Sequence, residues 1–112
     1  MQFLYDGNFY KAVKISGPKH NLLSISLGVN CKAPEVVELV SKEKGSQKLD
    51  RDEVLSQVVF GLEQVNKELG TNYVVETIQY VPSDSPSKKI YIELIQSIIK
   101  KIHEGGDFAR LS

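Results

Sequence analysis

The side chains able to do chemistry in this sequence are few and widely separated. The residues best suited to nucleophilic, acid–base or metal-ligating work are His20, His103 and the single cysteine, Cys31. A metal centre needs several His, Cys or carboxylate ligands at recurring spacing, such as two on one helix face a turn apart. His103 has Ile99 and Asp107 at four-residue spacing, and Asp107 falls beyond the helix that carries His103, so no ligand pair forms. Both imidazoles therefore read as solvated surface groups, and Cys31 as a small, semi-buried apolar residue without the partners that activate a thiol. No serine lies in a Gly-x-Ser-x-Gly elbow. Gly17-Pro18-Lys19-His20 lacks the repeated glycines and following helix of a phosphate loop and reads as turn chemistry. Gly105-Gly106-Asp107-Phe108 lacks the second acidic residue of the diguanylate cyclase signature, so its glycines read as a helix stop. The polar run Ser83-Asp84-Ser85-Pro86-Ser87 precedes an apolar helix whose N–H groups could hold an anion, but Asp84 opposes that and a capped turn accounts for it. The sequence thus offers no catalytic residue, no metal site and no cofactor site, and does not indicate an enzyme.

Charge narrows the partners further. Fourteen basic and fourteen acidic residues cancel and are interspersed. A phosphate-binding surface needs a basic excess on one face. Lys42, Lys44 and Lys48 come nearest, but Glu43 interrupts them and Asp50, Asp52 and Glu53 follow, so no nucleic-acid partner is expected. Apolar runs of only a few residues cannot span a bilayer, so no membrane partner is expected either. The first residues, Met1-Gln2-Phe3-Leu4-Tyr5-Asp6, lack the charged and apolar regions of a signal peptide, and one cysteine forms no intrachain disulfide; the expected location is the cytoplasm.

The elements that would carry these residues are easier to read. At 112 residues and 41% hydrophobic composition, one domain over 1–112 with an ordinary core is expected. Residues 1–5 form a short apolar strand closed by Asp6-Gly7, and 9–16 a strand rich in aromatic and β-branched residues. A five-residue turn over 17–21 leads to the cleanest alternation in the chain, with Leu23, Ile25, Leu27 and Val29 on one face and Ser24, Ser26 and Gly28 on the other. Segment 34–40 fits either a strand or a short helix opened by Pro34, and its three valines favour the strand. From Asp50 the period becomes helical. Asp50 and Glu53 suggest a capping box, and Gly70 ends the helix. At roughly 100° per residue, Val54, Leu55, Val58, Val59, Leu62, Val65 and Leu69 occupy an arc of about 140°. Gly61 at the stripe's edge would let the helix approach a strand closely. A strand over 73–81 follows, then a second helix capped by Ser85 with Pro86 at its first position, ending at Gly105-Gly106. The fold class is therefore α+β, a mostly antiparallel sheet of about four to five strands with two amphipathic helices on one face, in the order β-β-β-(β)-α-β-α. The predicted core is Leu23, Ile25, Leu27, Leu55, Leu62, Leu94, Ile95 and Ile98.

The last helix carries more apolar surface than one sheet face needs. With Ile92 included, its apolar side chains cover about 200° at roughly 100° per residue, against a usual stripe a little over 100° wide. The surplus, Ile92 and Ile99 beside His103 and Gln96, together with Phe60 on the first helix, is a possible partner interface: Phe60, Ile92, Ile99 and His103. Burial under the N-terminal strand or the 109–111 tail is the alternative. By size and class alone, the expected function is a small protein-binding domain of immunity, antitoxin, chaperone or adaptor type, acting on a protein partner or as a homodimer. The second reading is a small enzyme or ligand-binding domain whose site forms only at a dimer interface, which a conserved polar cluster around Asp84 and His103 would favour.

Overall fold

The computed structural model describes residues 1–16, 19–29, 34–39, 50–81 and 89–110. Their strands are β1 (Gln2–Asp6), β2 (Phe9–Ser16), β3 (Lys19–Gly28), β4 (Glu35–Glu38), β5 (Val74–Tyr80) and β6 (Ala109–Arg110). The helices are α1 (Arg51–Leu69), between β4 and β5, and α2 (Ile90–His103), between β5 and β6. One sheet holds all six strands in the order β4-β5-β3-β2-β1-β6. The inner pairs β1–β2, β2–β3 and β3–β5 are antiparallel, while β4 and β6 join the two edges in parallel. The class is α+β as the sequence indicates, with a mixed sheet and one strand more than expected. That extra strand, β6, is two residues long and so carries no readable periodicity.

Local chemistry accounts for most boundaries. Gly7 and Asn8 close the first hairpin, with Asp6 opposite Phe9. In the second hairpin Ser16 already pairs with Lys19, so His20 and Asn21 belong to β3 and not to a five-residue turn. Asn21 hid this extension, because it is a polar residue on the apolar face, 5% exposed, with its amide 3.5 Å from the Tyr91 hydroxyl. Residues 35–38 are a strand, as the valines favour.

Asp50 caps α1 by accepting from the Asp52 N–H at 2.9 Å. Glu53 accepts from Gln57 Nε2 at 3.1 Å. Gly70 ends α1 with φ 67°, a left-handed conformation that glycine adopts without Cβ strain, and its N–H bonds the Asn66 carbonyl. The start of α2 differs from expectation. Its N-cap is Lys89, at φ 66° and ψ 11° with no side-chain cap bond, so the helix begins at Ile90 and not at Pro86. Ser85 and Pro86 lie outside the described residues. A helix cannot run back through a left-handed residue, and the cap comes from elsewhere: Gln57 Oε1 on α1 accepts the Tyr91 N–H at 3.0 Å.

Pairing parity assigns the two faces of the sheet. Ala12, Leu23, Ile25, Val36, Val75, Ile78 and Tyr80 share one face and form a single cluster with Val54, Val58 and Val65 of α1 and Leu94, Ile95, Ile98 and Ile99 of α2. Of the predicted core, Leu23, Ile25, Leu94, Ile95 and Ile98 are fully buried, whereas Leu27, Leu55 and Leu62 are half-buried at its margin. Leu55 and Leu62 lie about 100° round α1 from Gly61, on the flank turned from α2. Gly61 itself brings α1 against α2 and not against a strand. A Cβ there would stand 2.5 Å from Ile95 Cγ2 and 3.2 Å from Ile92 Cα.

Candidate functional site

The four residues singled out on the helices do not form one patch. Phe60 is 52% exposed and Ile92 half-buried, and they flank the α1–α2 crossing at Gly61. Ile99 is fully buried and belongs to the core, so it is removed from the proposed interface. The reason is geometric: α2 packs on β2 and β3 and also along α1, so it is covered on two sides and needs an apolar arc nearly twice that of a helix resting on a sheet alone. His103 is exposed at the far end of α2, about 16 Å along the axis from Ile92. Its ring meets Tyr73 edge-on at 6.4 Å. Gln96 donates to the Gly61 carbonyl at 3.5 Å, tying the helices together.

The buried polar groups are occupied structurally. Gln57 links α1 to the first turn of α2 through the Tyr91 amide, and the Tyr91 hydroxyl reaches Asn21 on β3. Asn66 holds the α1–β5 connection, accepting from Thr71 Oγ1 at 2.9 Å and from the Tyr73 N–H at 3.0 Å, and donating to the Tyr73 carbonyl at 3.0 Å. Tyr80 has its ring in the core and its hydroxyl at the margin, 3.1 Å from a Glu38 carboxylate oxygen. Burial first, and then the hydrogen bond and charge of Glu38, push the phenol up to about 12. Among the described residues no buried side-chain nitrogen or oxygen lacks a partner. No group of three or more His, Cys, Asp or Glu there could hold a metal ion. Cys31, the lysines at 42, 44 and 48, and the 83–87 run lie outside the described residues.

Several concave regions remain, among them one of about 360 Å³ beside Tyr5, Phe9, Ser26 and Glu76. A groove of about 510 Å³ follows the outer side of α2 past Lys14, Lys89, Glu93, Gln96 and Lys100. Its charges are largely engaged with neighbours: Lys14 meets Glu93 at 2.8 Å and Lys100 meets Glu68 at 3.5 Å. Tyr5 and Tyr10 stand opposite each other, 4.9 Å between ring centres, and Phe108 meets Tyr10 at 5.1 Å and Phe3 at 5.8 Å. A hollow of about 360 Å³ lies beside them, with Asp107 and Arg110 at its rim. Sequence reasoning missed this cluster because it is assembled by the β1–β2 register and by the return of the chain along β1 in β6.

The second face of the sheet is the largest surface that sequence reasoning did not single out. The same parity places Leu4, Phe9, Val13, Ile15, Leu22 and Val37 there, with Lys11, Ser24, Thr77 and Gln79. Val13 and Leu22 are directly paired in the β2–β3 ladder. Ile15 is 64% exposed, and Leu4, Phe9, Val13, Leu22 and Val37 are half-buried. Both described helices pack against the opposite face. The polar groups in the middle of this face are paired within the chain: Ser24 Oγ donates to Gln79 Oε1 at 2.9 Å, and Lys11 lies 3.6 Å from Asp6. The missed signal was β2, where Phe9, Val13 and Ile15 are a second apolar set offset by one residue from Tyr10 and Ala12. No helix of the described residues is long and apolar enough to cross a membrane. Comparison with known proteins finds no matching family model, no matching curated protein and no matching solved structure.

Proposed function

We propose that this chain is a small protein-binding domain whose main contact surface is the open face of the sheet. The observation that carries the reading is the aliphatic set Leu4, Val13, Ile15, Leu22 and Val37 on a face that neither described helix covers. An antiparallel sheet with one solvated face normally presents polar side chains there. Val13 and Leu22, paired directly in the β2–β3 ladder, form apolar surface of the kind that marks a contact with another macromolecule. The internal pairing of Ser24 with Gln79 and of Lys11 with Asp6 lowers the cost of drying this face. Phe60 and Ile92 form a smaller apolar spot on the helical side.

A photo-crosslinking side chain in place of Val13, introduced in the cell that makes the protein, tests the reading. The expected result is an adduct of discrete mass, with none from the same group placed at the exposed helix position Lys67. Equal labelling at both positions, or none at position 13, would remove the proposal.

A further inference from the structure

The β3–β5 ladder carries one irregularity. Ser26 pairs with Thr77 and Leu27 with Val75, so Glu76 is an extra residue with no partner on β3. A bulge of this kind re-aims the side chains around it. Regular alternation would have set Glu76 opposite Leu27. The bulge gives that place to Val75, which is 2% exposed, and leaves Glu76 exposed beside Gly28. A Cβ at position 28 would stand 2.8 Å from Glu76 Oε2 and 2.9 Å from Glu76 Cβ, so the carboxylate lies where a side chain there would otherwise be. Among the described residues Glu76 makes no ion pair, and Lys11 of β2 is held by Asp6 at 3.6 Å.

Glu76 shares a hollow of about 360 Å³ with Tyr5, Tyr10, Leu27 and Asn8, and among the described residues it is the one charged group lining it. Small-ligand sites take roughly 300–1,000 Å³. Tyr5 and Tyr10 are half-buried, with ring centres 4.9 Å apart and planes tilted by 52°, so they form one aromatic wall. Independently of the contact proposed for the sheet face, we infer that this hollow binds a primary alkylammonium group. Its N–H groups donate to the Glu76 carboxylate, and its chain lies along the tyrosine wall and Leu27. A carboxylate is the strongest acceptor for an ammonium donor, and aromatic faces attract a cation. An anion would be repelled by Glu76, and a neutral apolar ligand would strip water from that carboxylate without pairing it. The neighbouring hollow, which also uses Tyr5 and Tyr10, has Arg110 as well as Asp107 at its rim and so does not select a cation.

Amide NMR of the full chain, titrated with butylammonium chloride, tests this. Saturable shifts should appear at 5–10, 26–28 and 74–77, with a dissociation constant in the millimolar range. Butanol, the neutral analogue, should bind at least about tenfold more weakly, as should butylammonium to Glu76→Gln. Tyr5→Leu should weaken binding about two- to fivefold. Both variants should keep the wild-type circular dichroism spectrum, and should Tyr5→Leu fail to fold, the conservative change at exposed Glu76 decides alone. No saturable shift at the highest accessible concentration would overturn the inference, as would equal shifts from butanol or potassium chloride, or unchanged affinity in Glu76→Gln. Lys32, four residues beyond Gly28 in the chain, lies outside the described residues, so Lys32→Ala is titrated too. Unchanged binding there supports the site. Binding that appears only in Lys32→Ala would mean that the chain fills the hollow itself, and would overturn the inference. Tighter binding of Nα-acetyl-lysine N-methylamide than of butylammonium assigns the group to a lysine side chain of a protein partner, and the reverse assigns it to a free amine.

Discussion

Tyr80 and Gly61 show how single residues here take their meaning from neighbours far away in the chain. Tyr80 lies in the core opposite Leu23 of β3 and turns its hydroxyl to Glu38, its partner in the β4–β5 pairing. Its phenol is raised from the ordinary 10.0 to about 12, chiefly by burial. Below pH 10 both folded and unfolded chains hold the proton. As pH climbs from 10 towards 12, the unfolded chain releases it first, so stability present below pH 10 is lost over that window. Denaturation midpoints measured across it should fall for the wild type, and the fall should be smaller in Tyr80→Phe. Gly61→Ala is a second residue-level test. Alanine improves intrinsic helix propensity by up to about 1 kcal/mol. Here the added methyl meets Ile95 Cγ2 at 2.5 Å and the Ile92 main chain at 3.1 and 3.2 Å. Backbone cannot yield cheaply, so denaturant titration should show a net loss of about 1–3 kcal/mol. A gain in stability would mean that α1 and α2 do not approach this closely.

At the scale of elements, the two helices are secured by different means. Asp50 caps α1 locally, and Asp50→Ala should cost roughly 0.5–2 kcal/mol by chemical denaturation. The first turn of α2 has no cap of its own and depends on Gln57 of α1, so α2 is ordered by a contact that exists only in the folded chain. Gln57→Ala should therefore also destabilise, by about 1–3 kcal/mol, since it strands the buried Tyr91 amide. Position within the helical layer also grades the core. Leu94 is fully buried and Leu94→Ala should cost on the order of 2–5 kcal/mol. Leu62 is half-buried on the outer flank of α1, so Leu62→Ala should cost clearly less than Leu94→Ala in the same titration. Equal losses would place Leu62 at the centre of the core.

For the whole molecule, the question is which apolar side chains fold the chain and which remain for a partner. Ile99, fully buried between α1 and the sheet, is part of the fold, and Ile99→Glu would bury a charge without a partner and should unfold the domain. Phe60, more than half exposed, should accept Phe60→Glu with a change within about 0.5 kcal/mol, read by circular dichroism and thermal melting. The molecule is a helical layer on one side of a six-stranded sheet, and the other side of that sheet carries the aliphatic residues on which the proposed contact rests.

Much of this architecture was legible because it is local. The alternation of Leu23, Ile25 and Leu27, the helical spacing from Val54 to Leu69, the Asp50 cap and the Gly70 stop are each written within a few residues, and backbone sterics and hydrogen bonding translate them directly into elements. The valines of β4 favoured a strand for the same reason. Pairings between distant segments were not legible. Whether α2 rests on one surface or two decides whether Ile99 is core or interface, and a helical wheel holds no record of the second surface. The aromatic cluster depends on a register that sets Tyr5 against Tyr10 and on β6 returning beside β1. The open face is the sum of four strands, each contributing one or two aliphatic residues that look incidental in sequence. Tertiary structure decided these points because a side chain's burial is set by what the rest of the chain places over it, and that depends on contacts between residues remote in sequence.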